Sequence, residues 1–268
     1  MDIDVKNLRL LLHHLDSPSL VNKAARKVHD QVQQHEDIKR ANTERIPGIH
    51  PSALARCARM AWMEFSSVPR VNTDVPEPVR RAGAIGTALH SMYQKNYLRA
   101  AKSGLFEFFD EVPLDADSSP EARRLNLRGR ADGLILFEGR RLGQEYKSVS
   151  GIVFKSLKGP PEDHLLQGSI YQECLGFEAM WFIYISRETF VDRHIVMRIP
   201  PQYWEAMKRR AQVVLENVLM KSVPPGTDDM RTCSICAYNL VCPEPRGSVL
   251  PEEKLVWVEV DGLDQQKS

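Results

Sequence analysis

Hydrophobic and polar positions change period several times along the chain. Residues 1–45 have a helical pattern, with Leu8, Leu10, Leu11 and Leu12 near the start and a break at Ser17-Pro18-Ser19 that can cap a second, charged helix. His50-Pro51-Ser52 then starts a helix, with Cys57 one or two turns inside it, followed by a Pro-rich acidic connector through Pro78. A further helix is predicted from near Ala82 to about Lys102, with Gly83 and Gly86 in its first turn and His90 one turn inside. The period then drops to two over 106–114 and 125–149, where Glu138-Gly139-Arg140 makes a short turn, so a β-meander is expected, followed by a Gly- and Pro-rich loop. Residues 162–176 return to helical spacing and stop at Gly176; 179–186 and 191–199 are β-type; 201–221 is an amphipathic helix. The tail from Val223 is rich in Pro and Cys, and 255–260 has the pattern of one more strand. There is no internal repeat.

Composition narrows the class. With 268 residues and 43% hydrophobic content the chain can bury a sizeable core. Its 36 Lys and Arg against 35 Asp and Glu leave a formal charge of +1, so any polyanion site must be a local patch. No stretch approaches eighteen consecutive apolar residues and the start lacks a signal-peptide layout, which predicts a soluble, intracellular protein without membrane contact. Five cysteines are too few and too odd in number for a disulfide scaffold, and point to metal or catalysis.

Two constellations carry chemistry. On a strand, Glu145 and Lys147 project to one side and Tyr146 to the other, and the turn at Gly139 returns Asp132 beside them. Two carboxylates and a lysine around one point can hold Mg²⁺ or Mn²⁺ while the ammonium orients a water and stabilises charge on a phosphate. Glu and Lys two apart can equally be an ion pair on a solvated face, but the neighbouring run Leu134-Ile135-Leu136-Phe137 describes a central strand, where idle charges are costly. The second constellation is Cys233, Cys236 and Cys242 with Cys57 far upstream. Four thiolates can close a tetrahedral Zn²⁺ site or hold a cubane iron-sulfur cluster, and the remote fourth ligand would tie the two ends of the chain like a clasp. Cys174, on the apolar side of its helix, is expected in the core.

Gly129 with Asp132, then Glu145 with Lys147, resemble the paired motifs of the PD-(D/E)xK nuclease superfamily in its RecB-like branch, with Ala131 where the superfamily's name has proline. That branch also carries a histidine on the helix before the sheet, matched by His90 within Gly86-Thr87-Ala88-Leu89-His90, and a Gln-x-x-x-Tyr motif after the catalytic strand, matched by Gln167 and Tyr171 with His164 one turn earlier. The cysteine layout is similar to that of the branch's iron-sulfur members, the AddB-type and CRISPR-adaptation nucleases, where one Cys precedes the core and three follow.

The resemblance spans roughly residues 52–243 and implies an α/β fold: a restriction-endonuclease-like central mixed sheet flanked by helices. The implied domains are an N-terminal helical appendage (1–45), a nuclease domain with its cysteine clasp (46–247) and a tail (248–268). It implies metal binding by His90, Asp132 and Glu145, catalytic roles for Asp132, Glu145, Lys147, Gln167 and Tyr171, and a [4Fe-4S] cluster on Cys57, Cys233, Cys236 and Cys242, with Zn²⁺ as the alternative. The implied activity is Mg²⁺- or Mn²⁺-dependent exonuclease action on single- or double-stranded DNA, without sequence preference, in recombination, repair or phage genome processing. A recombination or repair protein would be a further partner, and the cytoplasm of a bacterium or infected host the location. A non-catalytic DNA-binding or scaffold subunit that keeps fold and cluster, and a zinc-clasped interaction protein, stand as alternatives. Arg123, Arg124, Arg128, Arg130, Arg140, Arg141 and Lys147 can line a phosphate track into the site, with solvated strand ends as the alternative for about half of them.

Overall fold

The structure, a computed structural model, describes residues 47–68, 70, 77–239 and 241–242. The appendage expected over 1–45 and the strand expected over 255–260 lie outside them.

Five strands form one mixed sheet in the order β1-β2-β3-β4-β5: Glu107–Leu114, Gly129–Phe137, Arg140–Val149, Ala179–Ser186 and Asp192–Met197. β1, β2 and β3 are an antiparallel meander, β3 and β4 are parallel, and β5 returns antiparallel to β4. The α/β class read from the sequence is the observed one. The β2–β3 turn places Glu138 at φ 50° and Gly139 at φ 77°, the two left-handed residues that a tight hairpin needs to match strand twist. A parallel β3–β4 pair cannot be closed by a hairpin, and the crossover between them carries two of the helices.

The eight helices among the described residues are α1 (Pro51–Arg56), α2 (Ala58–Phe65), α3 (Glu77–Ala101), α4 (Pro120–Arg124), α5 (Gly151–Ser156), α6 (Glu162–Cys174), α7 (Pro201–Leu219) and α8 (Met230–Ser234). They cover both faces of the sheet, and β4 shows the division. Its Phe182 and Tyr184 join the main core with Leu54, Trp62, Ile170 and Met207 from α1, α2, α6 and α7, while Ile183 and Ile185 pack with Tyr146 and with Leu89 of α3. Burial on both faces accounts for the near-continuous apolar run of β4. Gly168 lets α6 approach closely, since a Cβ there would come within 2.8 Å of Ile199 and 2.9 Å of Phe182.

Four local differences from the sequence reading have identifiable causes. The helix begun at Pro51 is two helices, because Cys57 is extended (φ −161°, ψ 126°) and serves as C-cap of α1 and N-cap of α2. No breaker residue lies there; the cause is tertiary, as Arg210 Nη1 donates to the freed carbonyls of Ala55 at 2.8 Å and Leu54 at 3.4 Å. α3 begins at Glu77, with Pro78 in its first turn, where a missing N–H is harmless. The loop expected after β3 contains α5, capped by Ser150, which accepts from Val153 N. Short helices α4 and α8, capped by Ser119 and Asp229, interrupt segments that have no periodic signal. Among the described residues no helix is long and apolar enough to cross a membrane.

Candidate active site

The β2–β3 ladder runs from Phe137–Arg140 to Gly133–Gln144 and stops there. One step further, where Asp132 would face Glu145, the pairing gives way. The backbone N–H of Tyr146 instead donates to Asp132 Oδ2 at 2.7 Å. A carboxylate that takes a strand's N–H holds the split open and is itself fixed in place.

Glu145 and Lys147 project from β3 toward α6, as their two-residue spacing requires. Lys147 Nζ lies 2.8 Å from Glu145 Oε1 and donates to Gln167 Oε1 at 2.9 Å. Gln167 Nε2 donates back to Glu145 Oε1 at 2.8 Å, so one amide bridges acid and base. Tyr171, one turn along α6, is buried and interacts with Gln167. From the other side of the sheet His90 of α3 stands against the Tyr146 ring, with centroids 5.6 Å apart, and its Nδ1 reaches to 3.6 Å from Asp132 Oδ2. The structure therefore brings Asp132, Glu145, Lys147, Gln167, Tyr171 and His90 into one neighbourhood.

The electrostatics follow from burial. Glu145 is 3% exposed, and desolvation raises its pKa to about 7 against the attraction of Lys147, with Asp132 repelling further. Its second oxygen, Oε2, is buried with no hydrogen-bond partner among the described residues. An orphaned carboxylate oxygen is a costly arrangement for a protein alone and a natural one for a cation ligand. Burial pushes His90 down, but Asp132 and Glu145 outweigh it and its pKa lies above the ordinary histidine value. His164 goes the other way: burial, then the positive charge of Lys147, lowers it to about 3, and its Nδ1 lies 3.0 Å from the Tyr184 hydroxyl.

Two further residues belong to this neighbourhood and were missed by sequence reasoning. Glu111 lies on β1 between the paired positions Asp110–Gly133 and Val112–Ala131, which puts it opposite Asp132. It adopts φ 50°, a left-handed conformation that costs a non-glycine residue roughly 1–2 kcal/mol. Its carboxylate accepts from Gln94 Nε2 at 3.0 Å and pairs with Arg130 Nε at 3.2 Å. The same Gln94 Nε2 donates to the Asp132 carbonyl at 2.9 Å, tying α3 to both strands. Glu111, His90, Gln94 and Ser148 line an open cleft of about 440 Å³. No local signal marks Glu111 or Gln94, since only the register of β1 on β2 and the docking of α3 on the sheet place them here.

The cysteines meet elsewhere. Cys57, Cys233, Cys236 and Cys242 all line one cavity of about 160 Å³ between α2 and the segment around α8. Burial, followed by mutual repulsion among the thiols, raises the pKa of Cys233, and Cys236 is raised mainly by burial. Among the described residues, no three His, Cys, Asp or Glu side chains converge tightly enough to hold a single metal ion, in this cavity or around Asp132. Cys174 lies in the main core, and burial raises its thiol to about 11.

The phosphate track expected from the basic residues is not laid out as one. Arg140 and Arg141 start β3, about 20 Å of strand from Lys147, and are engaged there by Glu178 at 3.0 Å and by the Leu175 carbonyl at 3.1 Å. Arg123 and Arg124 pair with Asp117 and Glu121. Arg130 and Lys147 are the members of that set with a partner in the neighbourhood of Asp132.

No protein-family model matches the chain, and no curated protein matches it. Among solved structures it is similar to the protein SSO0001 with 16% identity and a TM-score of 0.48, over 79% of this chain and 93% of that one. It is also similar to the alkaline exonuclease LHK-Exo from Laribacter hongkongensis, with 13% identity and a TM-score of 0.45 over 65% of this chain and 89% of that one. The complex of LHK-Exo with dAMP gives 12% and 0.46 over the same shares.

Proposed function

We propose that the protein is a divalent-metal-dependent DNA nuclease, acting as an exonuclease at DNA ends, with Asp132, Glu145 and Lys147 at its reaction centre. The observation that carries this reading is the Glu145–Lys147–Gln167 triangle beside Asp132, with Glu145 Oε2 buried and unpartnered among the described residues. Glu145, Asp132 and His90 offer oxygen and imidazole donors of the kind that Mg²⁺ or Mn²⁺ accepts, and such an ion supplies Lewis acidity toward water and phosphate. Their carboxylates are turned toward internal partners here, so binding requires Asp132 and Glu145 to release some of them.

The chain's own groups do the rest. Lys147 has three N–H donors and gives two directions to Glu145 and Gln167, which leaves one for the attacking water or a phosphate oxygen. Its side chain is 18% exposed, enough to meet a ligand without losing its partners. Gln167 locks the lysine in position, and buried Tyr171 backs Gln167. The Glu111 carboxylate and the Ser148 hydroxyl bound the cleft through which a strand would pass.

We further propose that Cys57, Cys233, Cys236 and Cys242 hold a [4Fe-4S] cluster in preference to Zn²⁺. What supports the reading is that all four thiols line one cavity, and that their order along the chain, one before the sheet and three after it, is that of the iron-sulfur nucleases it resembles. On this reading residues 46–247 are one nuclease domain, clasped at its ends.

Degradation of end-labelled linear DNA by anaerobically purified protein, with Mn²⁺, Mg²⁺ or EDTA, tests the nuclease. Release of label that needs metal and falls ~10³-fold in Lys147→Ala is expected. Metal-independent release, or equal release by Lys147→Ala, would remove the assignment. Iron and acid-labile sulfide contents test the cluster.

A further inference from the structure

His164 stands in the first turn of α6, one turn before Gln167, and its place beside Lys147 follows from the sheet. Lys147 of β3 is paired in register with Tyr184 of β4, so both side chains leave the sheet toward α6 as neighbours. The His164 ring lies over Tyr184, with centroids 5.7 Å apart and planes at 28°, and its Nδ1 is 3.0 Å from the hydroxyl. Burial keeps that phenol protonated, so it donates to Nδ1, which places the imidazole proton on Nε2. Asp163 faces Nε2 with a carboxylate, which only accepts, and favours the same form. Its Oδ2 is 3.9 Å away, too far for a hydrogen bond, and leaves the N–H available. Burial, Lys147 of β3 and Arg56 in the last turn of α1 together keep the ring uncharged against the pull of Asp163.

We propose that His164 is a neutral hydrogen-bond donor, through its Nε2–H, to a phosphate oxygen of the strand that Lys147 engages, and that Tyr184 holds it in that form. The proposal rests on the nuclease reading given above and adds a contact to its substrate. His164 and Lys147 reach the surface to similar extents, with side chains 15% and 18% exposed, so an oxyanion that meets the lysine can also meet Nε2–H. An imidazolium there would repel Lys147, whereas an uncharged N–H adds a directed bond to the phosphate and leaves the ammonium undisturbed. Asp163 marks the side from which an anion is received. Its side chain is 41% exposed and can turn to solvent when a phosphate oxygen comes within hydrogen-bond distance of Nε2.

The test measures, by fluorescence anisotropy in EDTA, the binding of short fluorescein-labelled single-stranded and duplex oligonucleotides to full-length wild type, His164→Phe, His164→Gln and Tyr184→Phe. His164→Phe keeps a ring over Tyr184 and removes the donor, and its affinity is expected to fall roughly tenfold. His164→Gln, which can offer an amide N–H, and Tyr184→Phe, which frees Nδ1 to take the proton, should fall between. The factor lost in His164→Phe should be the same at about pH 7.5 and about pH 5.5, on either side of roughly 6.5, where an ordinary imidazole titrates. A factor that grows at the lower pH would reveal an imidazolium and overturn the neutral donor. Equal affinities of wild type and His164→Phe would overturn the role of His164 and leave the nuclease to the Lys147→Ala comparison. Should His164→Phe fail to fold, wild-type affinity in Tyr184→Phe would overturn the proposal equally. Wild type that binds neither oligonucleotide would overturn both this contact and the nuclease.

Discussion

The neighbourhood of Asp132 and the cysteine cavity solve opposite problems. The first is built on adjacent strands and the helix packed against them, and most of its polar groups already have partners: Asp132 takes a backbone N–H, and Gln167 bridges Glu145 and Lys147. The second gathers side chains from segments far apart in sequence around a void, on short helices and turns, with half-buried thiols, of which Cys233 and Cys236 are raised by burial and by neighbouring thiols. A site on a sheet keeps its shape by the sheet's own hydrogen bonds, so substitution there should touch chemistry more than folding. A site between chain ends has little shape of its own, so substitution there should touch folding more than chemistry.

The sharpest break of that contrast is a pair of variants. Lys147→Ala is expected to lose turnover and to cost less stability than the loss of a cysteine, since Lys147 is partly exposed and Glu145, left without its cation, can take up a proton. If the four cysteines hold the proposed cluster, Cys236→Ser should lose iron and much of the soluble protein, with a destabilisation of about 3 kcal/mol or more. Thermal melts of both would sink the comparison if Cys236→Ser melted like wild type.

Gln167→Leu should have a smaller effect. It removes the bridge to Glu145 and Lys147 but keeps their direct 2.8 Å pair, so kcat should fall about 10- to 100-fold with KM little changed. A KM effect with constant kcat would mean that Gln167 contacts substrate instead of holding the lysine.

The two regions differ in how far the sequence reveals them, and the reason is physical. Asp132, Glu145 and Lys147 were legible because a period of two and a tight turn at Gly139 are local rules, and the register that places them follows from those rules alone. The β-meander, α6, the β4–β5 pair and α7 were legible for the same reason. Glu111 and Gln94 were not, because their place depends on how β1 and α3 dock, which no spacing within either segment encodes. Nor was the break at Cys57, produced by Arg210 from α7. Arg140 and Arg141 fall on the alternative of solvated strand ends, because sequence proximity to Lys147 is distance along a strand: the hairpin carries them to its far end.

A third test concerns pH. His164 has its pKa depressed to about 3 in the fold, chiefly by burial and then by Lys147, while in the unfolded chain it titrates near about 6.5. Below about 6.5 the unfolded state takes up a proton that the folded state refuses, so stability contributed by this site is present above that pH and is lost as pH falls toward 3. Chemical denaturation between about pH 7.5 and 4.5 should show a shallower loss in His164→Gln than in wild type; parallel curves would mean that His164 is not held neutral.

The smallest expected effect lies at the far end of the same hairpin. Glu138→Asn puts a residue tolerant of φ 50° into the turn and should raise stability by about 0.5 kcal/mol with activity unchanged. A change in activity there would mean that the turn communicates with Asp132 through β2.

The distance in sequence between Cys57 and Cys242 also orders events in time. During synthesis the segments that carry Asp132, Glu145, Lys147 and Gln167 leave the ribosome and can pair as soon as β4 follows them, whereas Cys57 must wait for almost the whole described chain before its last partner exists. Until residue 233 is made Cys57 has none of its three partners, and its side of the cavity is unmet. The nascent chain therefore completes its strands' chemistry before the two segments that line the cysteine cavity can meet.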